Sequence, residues 1–358
     1  MTHLADLARR WWDEIPVYAY ALLCAALVFV LWSRFDIPYD NVGSFQSVQI
    51  IYTCAIAWFF VDIVWRLVRD RPARPLGWAR ERYFSRSSLY RLIAAIPVVM
   101  MCAILIPIFS SLKAMIPLFN DFGWDATIIA WERTILFGND AWEVLQPVLG
   151  YPIVTAAIAV TYHIWVLLLY LGVAVMAISP KISNDVRRRF FLSYALAWSV
   201  VGGLLATIFA SVGPVFAEPI LGIPDFGPQV DYLREANEQV PVMVVSVQDA
   251  LLESYFANEN GLGRGISALP SMHVAICVLY WLAARETSKT WGRLMFWYMV
   301  LIWIGSVHTG YHYAFDGLAS LIAIYAIWRA VPYVFAAWDR LPFPGRQPAL
   351  RTNTVPAE

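Results

Sequence analysis

Apolar residues are grouped along this 358-residue chain into long runs, which are separated by shorter stretches that carry most of the charged residues. Each run covers roughly 16 to 25 positions, the length that an α-helix needs to cross the hydrocarbon core of a bilayer. The pattern predicts eight membrane-spanning helices, over residues 16–33, 49–66, 92–111, 152–178, 190–212, 269–284, 293–308 and 312–335. The sixth and seventh are short and contain Gly or Ser, as is tolerated where helices pack on one another.

The composition agrees with this pattern, because 60% of the residues are hydrophobic and only 15% are charged. A soluble domain has a much larger charged fraction. The predicted fold class is therefore all-α, a polytopic membrane helical bundle of about eight transmembrane helices. The four cysteines lie inside predicted spans at no metal-ligand spacing, so neither a disulfide nor a zinc site is expected.

The net charge of zero is uninformative, but the distribution of Lys and Arg among the loops is not. Twenty-one of the 26 basic residues lie in segments that eight spans would place on one side of the membrane. The positive-inside rule assigns that side and both termini to the cytoplasm. The other face is then periplasmic in a bacterial inner membrane, the favoured location, or luminal in a Golgi-type membrane.

Two outward segments are long enough to cover a site on that face. Residues 112–151 are predicted to form short helices along the membrane interface. Residues 213–268 are acidic and read as a solvated cap. Within them, the run from Val242 to Phe256 has an apolar side, so an amphipathic helix that covers the site is an equal alternative.

Ionisable residues open two of the predicted spans. His273 ends the stretch Ser267-Ala-Leu-Pro-Ser-Met-His273, and His312 and Asp316 begin the eighth span. Such groups near hydrocarbon persist mainly where they are paired or functional, and the predicted topology puts all three at the outward face. If the segment from residue 312 is helical, Asp316 lies one turn from His312, where it would fix the tautomer of the imidazole. The sequence therefore predicts a catalytic site, with a purely structural polar cluster as the alternative.

Two motifs in these stretches carry a family resemblance. Pro270-Ser-Met-His273 and His312-Tyr-Ala-Phe-Asp316 resemble the second and third signature motifs of the type 2 phosphatidic acid phosphatase superfamily. The Pro-Ser-x-His form is similar to the branch that contains fungal inositol phosphorylceramide synthase. The resemblance implies a six-helix core formed by the third to eighth spans, with His312 as nucleophile, Asp316 as its partner and His273 as general acid.

The chemistry of histidine agrees with these implied roles. A neutral imidazole attacks phosphorus to give a phosphohistidine, and a second, protonated histidine donates its proton to the leaving oxygen. The charge on the phosphoryl oxygens also needs fixed donors, for which the Ser271 hydroxyl, the backbone amides after it and a cation are candidates. This scheme requires no metal or cofactor, and the sequence has no carboxylate cluster to hold a metal.

The chain departs from the superfamily pattern at the cation. The usual lysine followed seven residues later by Arg-Pro is absent after the fifth span, and Ser306 stands where an arginine usually precedes the nucleophile. Arg264 is the first candidate replacement, because it is an outward cation near His273 that can bind phosphate oxygens in bidentate fashion. Lys113 is the second, with a snorkelling interface anchor as its alternative role. His308 either orients an acceptor, replaces the arginine or caps a turn, whereas His163 is expected to be a hydrogen-bonded core residue.

The resemblance divides the chain into three predicted parts. Residues 1–90 form two additional N-terminal transmembrane helices and an Arg-rich cytoplasmic loop, residues 91–338 form the catalytic core, and residues 339–358 form a disordered cytoplasmic tail. The predicted function is an integral membrane phosphotransferase that moves a phospho-headgroup from a lipid phosphate donor to a lipid or alcohol hydroxyl. A lipid phosphate phosphatase that uses water, and a non-enzymatic transporter, are the alternatives. The bilayer is the expected environment, and no nucleic acid is an expected partner.

Overall fold

A computed structural model describes residues 2–35, 41–257 and 265–341 of the protein. All regular secondary structure in these ranges is helical. The first eight α-helices in chain order are α1 (Thr2–Asp13), α2 (Ile15–Arg34), α3 (Asn41–Asp70), α4 (Pro75–Tyr83), α5 (Arg86–Ala114), α6 (Ile116–Phe119), α7 (Asp125–Ile135) and α8 (Ala141–Leu149).

The second half of the described chain begins with two long helices that each contain a π-helical segment. The π-helical segment Leu168–Gly172 joins α9 to α10, Ala197–Leu205 joins α11 to α12, and a 3₁₀ turn lies at Pro224–Phe226. The α-helices are α9 (Pro152–Leu167), α10 (Val173–Ile178), α11 (Asn184–Leu196), α12 (Ala206–Ile208), α13 (Pro214–Leu221), α14 (Gly227–Gln239), α15 (Met243–Phe256), α16 (Met272–Thr287), α17 (Lys289–His308) and α18 (Ala314–Trp338).

A helix forms at each of the eight predicted spans, so the predicted all-α, polytopic helical bundle is confirmed. Six helical segments are long and apolar enough to cross a membrane: Ile15–Arg34, Gln49–Asp70, Arg86–Ala114, Pro152–Ile178, Asn184–Ile208 and Ala314–Trp338. The two remaining predicted spans correspond to α16 and α17. They are the two spans whose sequences are short and interrupted by Gly and Ser.

Helix α16 lies in the interior of the bundle, where it packs against α17, α18 and α11. Every side chain from Val274 to Leu279 is at most 1% exposed. A helix that is surrounded by other helices does not have to match the bilayer thickness, since protein rather than lipid covers its ends. This position explains why only 16 residues form α16.

Serine side chains mark the beginnings of three core helices. Ser85, Ser183 and Ser271 each accept a hydrogen bond from the backbone N–H three residues later, at the first turns of α5, α11 and α16. A side-chain oxygen at this position satisfies an amide that the helix itself leaves without a partner. Among these, the Ser271 cap fixes where α16 starts and therefore where His273 lies.

The beginning of α11 and the ends of α10 and α18 meet at one end of the bundle, which we call the arginine-rich end. The Arg187 guanidinium donates to the backbone carbonyl of Met176 in α10 and to those of Ser179 and Ile182 after it. The indole of Trp338 packs on Trp12 and donates to its carbonyl. The N-terminal helix α1 and the end of α18 therefore lie at the same end of the bundle.

The opposite end, where α16 and α18 begin, is called the site end. Short helices form there in both segments that were predicted to cover it: α6, α7 and α8 in residues 112–151, and α13, α14 and α15 in residues 213–268. The run Val242 to Phe256 forms α15, as expected for the covering helix. The candidate Arg264 and most of the predicted tail, from residue 342 onward, lie outside the described residues.

Candidate active site

His312 lies in the short connection between α17 and α18. The carbonyl of Ser306 accepts hydrogen bonds from the backbone N–H groups of both Tyr311 and His312, at 3.1 and 3.2 Å. Gly310 turns the chain with a φ of 73°, a backbone conformation that favours glycine. These bonds hold the backbone of His312 against the end of α17.

The His312 ring is held by two acceptors. Its Nδ1 lies 2.9 Å from the Ala268 carbonyl oxygen and 3.2 Å from Oδ2 of Asp316. A carbonyl and a carboxylate oxygen only accept hydrogen bonds, so Nδ1 carries the ring proton that both of them share. The neutral ring then has its lone pair on Nε2, which is the form that a nucleophilic histidine needs.

Asp316 is fixed by the start of α18, although the contact differs slightly from the sequence expectation. The helix begins at Ala314 rather than at His312, because Asp316 Oδ2 also accepts from the Tyr313 N–H at 3.0 Å and so caps the first turn. The Asp316 side chain is fully buried. It therefore reaches His312 across the helix start, and not between two residues of one helix.

The starts of α16 and α18 are bonded to each other. The Ser271 N–H donates to the Asp316 carbonyl at 3.3 Å, and the Ser320 hydroxyl lies within 2.8 Å of the carbonyls of both residues. His273 is the second residue of α16 and Asp316 the third of α18. These bonds bring the two signature motifs together, although 39 residues separate His273 from His312 in the chain.

The two histidine rings face the same space. Their centroids are 6.1 Å apart, with an angle of 60° between the ring planes. His273 is itself held between aromatic rings of α9, with Tyr162 stacked at 4.4 Å and Trp165 at 4.1 Å between centroids. The sequence analysis did not identify these two aromatic residues, although their spacing of three positions on one helix was the available signal.

A cavity of about 410 Å³ opens in front of the two rings. Its polar lining includes His273, His312, His163, Lys113 and Ser267, and most of the other lining residues are apolar. From the site end it is covered by Phe216 of α13 and by Val247 and Leu251 of α15, which lie one turn apart. The arrangement thus combines two imidazoles and an amine with largely water-excluding walls.

Lys113 is the cation that the structure brings to this cavity. It lies in the last turn of α5 and lines the cavity together with His273 and His312. No acidic side chain pairs with it among the described residues. A positive charge that lines a cavity beside two histidines provides a place for an anionic group.

Other histidine and serine candidates lie in different surroundings. His308 does not line the cavity, and its Nε2 is bonded at 2.9 Å to the Thr155 hydroxyl, which also contacts Tyr232. Ser271 is fully buried as the cap of α16 and does not line the cavity either. His163 is bonded through Nδ1 to the Ala159 carbonyl one turn earlier in α9, so it is hydrogen bonded as expected, but it is half-buried and lines the cavity and is not a core residue.

Two buried carboxylates of α7 support the His312 connection, and the sequence analysis did not identify them. Asp125 accepts from the Val212 and Gly213 N–H groups and from the Tyr313 hydroxyl at 2.9 Å. Glu132, seven residues later on the same face, accepts from the Phe315 N–H at 3.0 Å. Their shared helical face, two turns apart, was the signal in the sequence.

Burial changes the ionisation of both α7 carboxyls. It raises the pKa of Asp125, although the hydrogen bonds that this carboxylate accepts oppose the rise. It raises the pKa of Glu132 to about 7, with the Phe315 N–H opposing the rise and the nearby Asp316 carboxylate adding to it. Among the described residues, no group of three or more His, Cys, Asp or Glu side chains is placed to hold a metal ion.

Comparison with protein families gives one match. A family model described as the PAP2 superfamily matches residues 126–330, which is more than half of the chain. The comparison with curated proteins returns no match, and neither does the comparison with solved structures. The matched region begins inside α7 and ends inside α18, so it contains His273, His312 and Asp316 but not Lys113.

Proposed function

Because the chain belongs to the PAP2 superfamily, we propose that it is an integral membrane phosphotransferase that acts on lipid phosphate esters through a phosphohistidine intermediate. Membership in the superfamily supports a lipid phosphatase or phosphotransferase activity in general. The finer proposal depends on one observation above all. His312 is hydrogen bonded through Nδ1, which leaves Nε2 free, in a cavity that its ring shares with His273.

In the first half-reaction, Nε2 of His312 attacks the phosphorus of the donor ester. The bond from phosphorus to the leaving lipid oxygen breaks, and protonated His273 gives its proton to that oxygen. The product is a phosphohistidine that carries the headgroup. Asp316 and the Ala268 carbonyl stabilise the positive charge that develops on the His312 ring, because both accept its Nδ1–H.

In the second half-reaction, neutral His273 removes the proton of an acceptor hydroxyl. The acceptor oxygen attacks phosphorus, the bond to Nε2 breaks, and His312 returns to its neutral form. The ring separation of 6.1 Å supports this scheme, because a phosphoryl group fits between two imidazoles at that distance. Both histidines end in the protonation states in which they began, so the cycle is closed.

The phosphoryl oxygens carry negative charge that the site has to balance. Lys113 is the described side chain best placed to do so, since it lines the cavity that contains both histidines. The bound anion in turn favours the protonated form of His273, which the first step requires. Arg264, which lies outside the described residues, is proposed as a second phosphate contact on the strength of its sequence position.

Transfer to a lipid hydroxyl is proposed over hydrolysis for two reasons. The apolar side chains Phe216, Val247 and Leu251 cover the cavity and so limit access of water to the phosphohistidine. The Pro270-Ser-Met-His273 motif, without the usual clamp residues, resembles the inositol phosphorylceramide synthase branch rather than the phosphomonoesterases. A phosphatase with water as acceptor is the second candidate.

The test is turnover by the purified protein in vesicles that contain a phospholipid donor, radiolabelled in its phosphate, and an excess of a lipid alcohol. We expect label in a new phospholipid, and none with His312→Ala. Label in water-soluble phosphate or headgroup phosphate would make water the acceptor and replace the transferase by a phosphatase. The absence of both products across donors with different headgroups would contradict the enzymatic proposal and would favour the alternative function as a transporter.

We also propose that the site end faces the periplasm or lumen, with both termini in the cytoplasm. The proposal follows from the excess of Lys and Arg at the arginine-rich end. An impermeant thiol reagent applied to intact cells is expected to label Asp231→Cys, on the exposed face of α14, but not Arg80→Cys in α4. The reverse pattern of labelling would overturn this orientation.

A further inference from the structure

The cavity that contains the two histidines continues away from them as an arm with apolar walls. We define this apolar arm by six residues that line the cavity: Ile50, Ile106, Leu169, Tyr170, Trp198 and Gly202. They come from four parts of the chain, which are α3, α5 and the two π-helical segments. None of the six carries a charge, so Lys113 and the three lining histidines lie outside the arm.

The direction of the arm follows from the helices that form it. Ile106 lies seven residues before Lys113 in α5, which runs towards the site end, so it lies about 10 Å deeper. Tyr170 lies eight residues after Tyr162, which stacks on His273, in a helix that runs away from the site end. This separation also corresponds to roughly 12 Å of depth. The arm therefore extends from the histidines towards the middle of the bundle.

Both π-helical segments of the described chain contribute to this arm. Leu169 and Tyr170 belong to the first segment, and Trp198 and Gly202 belong to the second. An extra residue per turn widens a helix locally, and such segments occur frequently at functional sites. Gly202 also lets Met272, the residue before His273, pack closely, since a Cβ there would lie 2.9 Å from the Met272 sulfur.

Part of the arm lies outside the region of the chain that the family model matches. Ile50 in α3 and Ile106 in α5 both precede residue 126, where that region begins. Helix α3 is one of the two helices that stand in front of the proposed six-helix core. The length and shape of the arm are therefore not implied by membership in the superfamily.

We infer that the apolar arm binds one alkyl chain of a lipid phosphate ester and limits the length of chain that fits, while its phosphoryl group lies between His273 and His312. The inference rests on the proposed function, because it places the phosphate of the same substrate at the two histidines. An uncharged wall that starts at a phosphate-binding end matches a single amphiphilic molecule with a polar head and an apolar chain. The whole cavity holds about 410 Å³ for head and chain, which favours one chain over two.

The test compares two tryptophan substitutions in α5. Ile106 is 3% exposed and lines the arm, whereas Ile104, two positions earlier, is 42% exposed on the outer surface of the bundle. Ile106→Trp fills part of the arm, and Ile104→Trp adds the same side chain outside it. Dissociation constants of n-alkyl phosphonates of increasing chain length are measured in the same vesicles, without any need for turnover.

The informative quantity is the ratio of the dissociation constant of each variant to that of the wild type at each chain length. Partition of the ligand into the bilayer is the same for all the proteins and cancels in the ratio. The ratio therefore reports only the effect of the substitution on binding. For Ile106→Trp we expect a ratio near one for the shortest chains and a rise of about fourfold for each methylene that is excluded. For Ile104→Trp the ratio should stay near one at every length. A flat ratio for Ile106→Trp would overturn the inference.

A second variant protects the test against misfolding of Ile106→Trp. Trp198→Ala enlarges the arm and removes the ring contacts of Trp198 with Phe109 and Tyr194. It should tolerate longer or branched chains that bind weakly to the wild type, and unchanged chain preference would count against the arm. Failure of every phosphonate to bind would refute the phosphate site as well, whereas binding without chain selectivity would refute the arm alone.

Discussion

Two arginines of the arginine-rich end and the lysine at the cavity of the site end differ in whether an acidic side chain pairs with them. At the arginine-rich end, Arg188 and Asp339 form a bidentate pair at 2.9 Å, and Arg189 contacts Glu286 at 2.8 Å. At the site end, Lys113 lines a cavity with no acidic partner among the described residues. Paired charges hold helices together, whereas a charge without a protein partner is available to a ligand. Because the ion pair of Arg133 with Asp140 also lies at the site end, the difference indicates that the cavity around Lys113, and not that end as a whole, is suited to an anion.

A similar contrast separates two carboxylates of the arginine-rich end from three carboxylates around the His312 connection. Glu286 and Asp339 contact arginines at positions that solvent reaches. Asp125, Glu132 and Asp316 are buried and accept hydrogen bonds from N–H and O–H groups around the His312 connection. The buried carboxylates therefore order a short stretch of backbone and one imidazole, a role that surface ion pairs do not have.

The largest effect is expected from the partner of the proposed nucleophile. Asp316→Asn preserves the size of the side chain but places an amide beside Nδ1, which favours the wrong tautomer of His312. We expect turnover to fall by roughly 10² to 10⁴-fold with little change in melting temperature, as in other histidine and carboxylate pairs. Steady-state kinetics of the purified variant is the measurement. A loss of less than tenfold would mean that the Ala268 carbonyl alone fixes the tautomer.

The unpaired lysine is the next most sensitive position. Lys113→Met keeps an unbranched chain of similar length but removes the charge, so we expect kcat/KM to fall by roughly 10² to 10³-fold. Lys113→Arg should recover part of the loss because it restores the charge. An unchanged rate in Lys113→Met would transfer the phosphate contact to another cation, with Arg264 as the first candidate.

The paired charges of the arginine-rich end should behave in the opposite way. Arg188→Ala breaks the contact with Asp339 and the packing of the guanidinium over Phe335. Because the pair is partly exposed, the loss of stability should be about 1 kcal/mol or less, with turnover unchanged. Thermal melting and activity are measured on the same preparation. A large loss of turnover without a change in melting temperature would contradict the purely structural role of the Arg188 ion pair.

The last prediction concerns stability alone, through pH and the buried carboxyl of α7. The folded-state pKa of Glu132 is raised to about 7 by burial, above the value of an exposed glutamate. An acid whose pKa rises on folding stabilises the protein below its unfolded pKa, and this contribution is lost as pH rises through the folded pKa. The melting temperature of the wild type should therefore fall relative to that of Glu132→Gln between about pH 4.5 and pH 7. A difference that is independent of pH would contradict the raised pKa.

The sequence predicted the helices and the nearness of His312 and Asp316, because these depend on local patterns. The hydropathy pattern located the helix at each of the eight predicted spans. The spacing of four residues anticipated the contact between His312 and Asp316, although the helix proved to begin two residues later than the predicted span. The functional roles of His273, His312 and Asp316 remain predictions that the experiments above are designed to test.

The remaining parts of the site depend on tertiary packing, which hydropathy does not encode. Tyr162 and Trp165 reach His273 from a helix more than 100 positions away in the chain, and Asp125 reaches Tyr313 over 188 positions. Their residue types fit an ordinary membrane helix and an ordinary interface helix. Similarly, the bond from His308 to Thr155 lies outside the cavity and was not readable from the position of His308 beside Gly310.

The central claim is that His312 carries the phosphoryl group between donor and acceptor. The most direct measurement is covalent labelling of the His273→Ala variant with a lipid donor radiolabelled in its phosphate, followed by peptide mapping under alkaline conditions that preserve phosphohistidine. Loss of His273 slows both the formation and the release of the intermediate, so after long incubation the account predicts label on His312 and none in the His273→Ala, His312→Ala double variant. Label on another residue, or turnover by His273→Ala without label on any histidine, would contradict it.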